Sequence, residues 1–138
     1  MFATAFHTSR RYILFTAMAC LCVLLGGPSY AAGADSLFIA GATYYEPGVS
    51  GPGWAWTDAD QLELTGYAGE AIGADGNLVV TLVGQNSVVE THAPDADISM
   101  SGMEVWGDLT LRGSGSLTAT GSQCGIHVAQ ALVVDGCT

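Results

Sequence analysis

Three stretches decide the fold: Ile72-Gly-Ala-Asp-Gly-Asn-Leu78-Val-Val80, Met103-Glu-Val-Trp-Gly-Asp-Leu109-Thr-Leu111 and Ile126-His-Val-Ala-Gln-Ala-Leu132-Val-Val134. Each carries apolar residues at its first, third, seventh and ninth positions, with a turn-like break in between. Side chains alternate faces along a strand, so Ile72 and Ala74, then Leu78, Val80 and Leu82, point one way. A single unit has nothing to bury that row against. Stacked units do, because paired strands lie about 4.8 Å apart and like side chains then meet like. The predicted columns are Ile72, Met103 and Ile126; Ala74, Val105 and Val128; Leu78, Leu109 and Leu132; and Val80, Leu111 and Val134. The pattern therefore predicts an all-β solenoid of about three to four coils, each made of two short strands and a corner.

The corners are Asp75-Gly76-Asn77, Gly107-Asp108 and Gln130-Ala131, where Gly, Asn and Asp accept left-handed backbone angles. Ile72, Met103 and Ile126 are separated by 31 and 23 residues. The longer step holds Thr91-His-Ala-Pro-Asp-Ala-Asp97, read as a loop bulging from one corner. Leu62 and Leu64, following Asp60, match Leu109 and Leu111 as a degenerate first coil, and Trp54-Ala-Trp56 with Asp60 to Gly66 reads as its opening strand. Residues 32–53 read as an irregular, glycine-rich lead-in with the bulky pair Tyr44-Tyr45. Helical spacing is hard to find after Ala31. A β-sandwich is the rival fold, and it does not predict aligned columns.

Composition narrows the function. The 138 residues contain 3 Lys and Arg against 13 Asp and Glu. Arg10 and Arg11 precede an apolar run to Leu25, a Gly-Gly-Pro break and the small-x-small triplet Ser29-Tyr30-Ala31. This order reads as a signal peptide over residues 1–31, with a retained signal anchor as the alternative. Beyond the leader Arg112 alone faces all the acids, a balance that repels nucleic acid and anionic lipid. Membrane contact is expected only through the signal peptide before its cleavage, and localisation is expected to be secreted or cell envelope. Cys124 and Cys137 are either a disulfide, whose short loop would contribute roughly 3 kcal/mol, or two small buried residues.

The stretches Leu62-Glu-Leu-Thr-Gly-Tyr67, Ala71-Ile-Gly-Ala-Asp-Gly-Asn-Leu78 and Gly107-Asp-Leu-Thr-Leu-Arg-Gly-Ser-Gly-Ser-Leu117, with the unit from Gly125 to Thr138, give the chain a family likeness. Over about residues 54–138 it resembles secreted bacterial right-handed parallel β-helix repeat proteins, surface proteins described as carrying carbohydrate-binding domains. That resemblance implies a right-handed parallel β-helix acting as an adhesin or polysaccharide binder. The chain departs from the family in stopping mid-coil at Asp135-Gly136-Cys137-Thr138, without a capping helix or sorting signal, so a C-terminally truncated sequence is expected.

The candidate ligand-binding residues are Trp54, Trp56 and Trp106. Trp54 and Trp56 are two apart and share a strand face, as a sugar-stacking platform or as a lid over the first coil. Trp106 falls on the outward side of a corner, with Asp75 and Ala129 in its column, as a contact site or folded onto a neighbouring coil. Asp95 with Asp97, Asp58 with Asp60 and Asp75 with Asn77 raise calcium, which needs six to eight oxygens, but a solvated acidic surface explains them and no metal or other cofactor is expected. A glycosidase requires two carboxylates about a bond. The nearest arrangement is Glu104 beside His127, which a surface hydrogen bond accounts for. His92 has no evident partner, and Arg112, with Thr81 and Asp135 as column neighbours, is read as half of an Arg112–Asp135 ladder pair on the outer face. No catalytic residues are assigned. The expected function is non-catalytic display at the cell surface, with a glycan or another surface protein as partner. The alternatives are a structural stalk or interaction repeat without small ligand, and the N-terminal part of a polysaccharide-degrading β-helix enzyme.

Overall fold

A computed structural model describes residues 32–92 and 100–138. The leader, and Asp95 and Asp97 in the loop, lie outside the described residues. Everything described is strand, turn or irregular, with no helix. The strands are β1 (Leu37–Ile39), β2 (Ala42–Tyr44), β3 (Val49–Gly51), β4 (Trp54–Asp58), β5 (Gln61–Thr65), β6 (Ala68–Glu70), β7 (Ile72–Ala74), β8 (Leu78–Val83), β9 (Gln85–Val89), β10 (Ser101–Val105), β11 (Leu109–Gly113), β12 (Ser116–Thr120), β13 (Cys124–Val128) and β14 (Leu132–Asp135). They form three sheets, ordered β13-β10-β7-β1-β2, β14-β11-β8-β5-β4-β3 and β12-β9-β6.

From β5 onward each strand pairs in parallel with the strand three places later in the chain. The registers are the columns read from the repeats: Leu109 faces Leu78 on one side and Leu132 on the other, Leu111 faces Val80 and Val134, and Met103 faces Ile72 and Ile126. Leu78, Val80, Leu109, Met103 and Ile72 are buried in one core. Burying each such aliphatic side chain stabilises by roughly 1.5–3 kcal/mol. In β14 the same columns come to the surface, with Leu132 48% and Val134 56% exposed.

Several expectations need correction. Each repeat holds three strands, the third being β6, β9 or β12. Leu62 and Leu64 lie opposite Val80 and Leu82, two positions from the alignment with Leu109 and Leu111. A slip of two leaves the inward face unchanged, which is why the repeat pattern did not expose it.

The parallel arrangement also gives way at the N-terminal end. β1–β2, β1–β7, β3–β4 and β4–β5 are antiparallel. Residues 32–53 are therefore not irregular. Leu37 and Ile39 enter the core, and Ala40 and Gly41 turn the β1–β2 hairpin with φ of 52° and 76°, the positive pair that an I′ turn requires. The Ala40 N–H donates to the Tyr67 hydroxyl at 3.2 Å, and that hydroxyl donates to the Glu70 carbonyl at 3.2 Å, which pins the hairpin to the first repeat.

Of the corner residues only Gly76 takes the positive backbone angle expected, with φ of 139°. Neither Asn77 nor Asp108 has a positive φ. Instead their side-chain oxygens bridge repeats: Asp108 N–H donates to Asn77 Oδ1 at 2.8 Å, and Ala131 N–H donates to Asp108 Oδ1 at 3.0 Å. Gly107 is required because a Cβ there would overlap the Asn77 amide and come 2.6 Å from the Gly76 carbonyl carbon. A second polar tie is deep. Asn86, 3% exposed, accepts from Tyr67 N–H at 2.8 Å and donates Nδ2 to the carbonyls of Val83, Gly84 and Ser116 at 3.2–3.3 Å. One amide thus joins three successive repeats.

Candidate functional site

Alternation on β10 sends Met103 and Val105 inward, so Glu104 and the following Trp106 face outward. On β1 the same rule buries Leu37 and Ile39 and turns Phe38 out. The register then lines up Phe38, Gly73, Glu104 and His127 across the outer face of one sheet. Gly73 leaves a gap in that row, and a Cβ built on it meets nothing closer than Phe38 Cβ at 3.6 Å. The gap is the floor of a shallow, open groove of about 210 Å³, lined by Ser36, Phe38, Thr43, Gly73, Ala74, Asp75, Glu104 and Trp106.

Trp106 is 58% exposed, in the outward position its column predicted. Its ring meets the His127 imidazole edge-on with centroids 5.7 Å apart, and His127 Nδ1 lies 3.2 Å from Glu104 Oε1. The site thus offers an indole and a phenyl ring, the hydroxyls of Ser36 and Thr43, and the carboxylates of Asp75 and Glu104. Large apolar rings with a few fixed polar groups around a concavity are the ordinary make-up of a small-ligand site.

Trp54 and Trp56 are elsewhere. They are 5% and 0% exposed, on the inward face of β4 opposite Leu64 and Leu62. They close the core as a lid, so the sugar-stacking platform proposed for them has no surface on which to stack. The Trp54 indole packs over Gly51, where a Cβ would come within 2.5 Å of Nε1, and against Tyr44 at 5.4 Å.

The remaining candidates have local partners. Arg112 aligns with Thr81 and Asp135 as expected, but the ladder pair with Asp135 needs correction: the guanidinium turns the other way and donates to Thr81 Oγ1 at 3.1 Å and Gln61 Oε1 at 3.2 Å. His92 does have a partner: its Nδ1 lies 2.6 Å from Glu90 Oε1, which also accepts the His92 backbone N–H, and these bonds hold the Glu90 carboxyl below its usual value. Cys124 and Cys137 are both free thiols, with Cys124 Sγ 3.1 Å from Ser101 Oγ. Asp58 caps the Ala59 N–H. Among the described residues no three His, Cys, Asp or Glu side chains gather as metal ligands.

Sequence reading named Trp106, Glu104, His127 and Asp75, but not Phe38, Ser36 or Thr43. The missed signal was the run Leu37-Phe38-Ile39-Ala40-Gly41-Ala42-Thr43-Tyr44, two short alternating stretches about a two-residue turn. No family model, curated protein or solved structure matches this chain.

Proposed function

We propose that this chain forms a right-handed parallel β-helix, secreted or exported to the cell envelope, that binds carbohydrate without catalysis. The parallel pairing of every third strand with like residues in register supports the β-helix, and the charged, apolar and small-residue order of residues 1–31 supports export. One observation carries the binding reading: Trp106 stands 58% exposed beside a groove floored by Gly73 and bordered by Phe38 and Glu104. An exposed indole over a concavity suits the apolar face of a sugar ring, with hydroxyls and carboxylates at hand for its hydroxyl groups.

The test is a glycan array on the purified protein with two variants. Trp106→Ala removes the ring. Gly73→Val fills the floor from a position where a Cβ meets no backbone. Both should abolish array binding while the circular dichroism spectrum is kept. Binding that survives both changes would refute this site.

A further inference from the structure

We infer that the groove selects glycans bearing protonated amines, the glucosamine class, and rejects polymers of uronic acids; this rests on the glycan-binding reading above. The observation is where the charges stand. Glu104 borders the floor at Gly73 and Asp75 lies at the next outward position, beside Trp106. The neighbouring His127 is engaged with Glu104. Arg112, the sole Lys or Arg among the described residues, belongs to β11 in a different sheet, where Thr81 and Gln61 hold it.

Charges within about 8 Å of each other are felt at physiological salt. A ring seated on Trp106 and spanning the Gly73 floor brings its substituents inside that range of both carboxylates. An ammonium substituent there is attracted and donates hydrogen bonds to them. A sugar carboxylate is repelled, and the one Lys or Arg among the described residues, Arg112, is engaged on another sheet. The hydroxyls of Ser36 and Thr43 serve either kind of sugar and do not discriminate. The apolar stack thus supplies binding, and Asp75 with Glu104 supplies choice.

The experiment is titration calorimetry of the full protein with three short oligomers of equal length: glucosamine, N-acetylglucosamine and galacturonate. It is run in mildly acidic, low-salt buffer, where the sugar amines are protonated. Exposed ion pairs are individually weak, so the glucosamine oligomer should bind about fivefold more tightly than its acetylated counterpart. Galacturonate should not bind. Asp75→Asn with Glu104→Gln should erase that advantage yet keep N-acetylglucosamine binding, as should added salt. Glu63→Gln, an exposed acid on another sheet, should leave the advantage intact.

Equal or tighter binding of the acetylated or uronate oligomer, still lost in Trp106→Ala, would overturn the amine preference alone. An equal loss in Glu63→Gln would overturn it too, by showing diffuse charge attraction. Absence of Trp106-dependent binding to all three would overturn the glycan reading with it.

Discussion

Replacing Asn86 with Leu tests whether one buried amide holds three repeats together. Leucine fits the apolar surroundings and its register neighbour is Leu117, so the change removes hydrogen bonds with little loss of volume. The partners it leaves differ in consequence. Val83 and Gly84 carbonyls still accept from Gly66 and Ser116 N–H. Tyr67 N–H has its bond to Asn86 Oδ1 and would be left facing a methyl group. An orphaned buried donor costs about 1–3 kcal/mol, and the lost bond to Ser116 adds about 0.5–1.5 kcal/mol. The sum is about 1.5–4.5 kcal/mol. At about 4 °C per kcal/mol, where the ranges for smaller and larger domains meet, Tm should fall by roughly 6–18 °C in thermal denaturation followed by circular dichroism. Asn86→Asp should be worse at neutral pH, because it sets a carboxylate oxygen against the carbonyls of Val83, Gly84 and Ser116 to which Nδ2 donates. An Asn86→Leu protein within 0.5 kcal/mol of the parent, roughly the scatter of surface changes, would refute the tie.

Trp56→Ala should cost about 3–5 kcal/mol in urea unfolding, the range for emptying a large core site, and should leave groove binding unaltered in the folded protein. Asp108→Ala removes the acceptor for Ala131 N–H and should cost about 1 kcal/mol by the same assay. Tyr67 gives the pH dependence. Burial pushes its phenol above the ordinary 10.0, so the stability it contributes is complete below pH 10 and is lost as pH climbs through the raised value. Urea midpoints measured up that range should fall more steeply for the parent than for Tyr67→Phe.

The columns were legible because apolar alternation with a repeating offset has few other physical solutions. Leu78, Leu109 and Leu132 could be assigned to one register from spacing alone. The third strand of each repeat was not legible. Its inward positions are Asn86 and Val88 in one repeat and Leu117 and Ala119 in the next, so no residue type recurs to mark the column. The N-terminal hairpins were hidden by composition: Gly41, Gly51 and Gly53 read as disorder of pattern, while two of them make turns and the third makes room for Trp54. At the groove, outward Trp106 and the Glu104–His127 contact followed from alternation. Phe38 reached them by an antiparallel pairing across sequence that no repeat encodes. The tryptophans chosen for their size were chosen by the fold for the same property, and Trp54 and Trp56 went inside.

The antiparallel end has a kinetic consequence. Its hairpins join residues a few positions apart, whereas the parallel pairs join residues 18, 19, 23 or 31 apart. Closing a 31-residue loop costs about 2 kcal/mol more entropy than closing a hairpin. Chain collapse should therefore nucleate at β3–β5, whose tryptophan-topped face templates β8, and each repeat should dock on the one before it. Pulse-labelled hydrogen exchange should find amides of β4 and β5 protected before those of β10 and β11; the reverse order would contradict directional zipping.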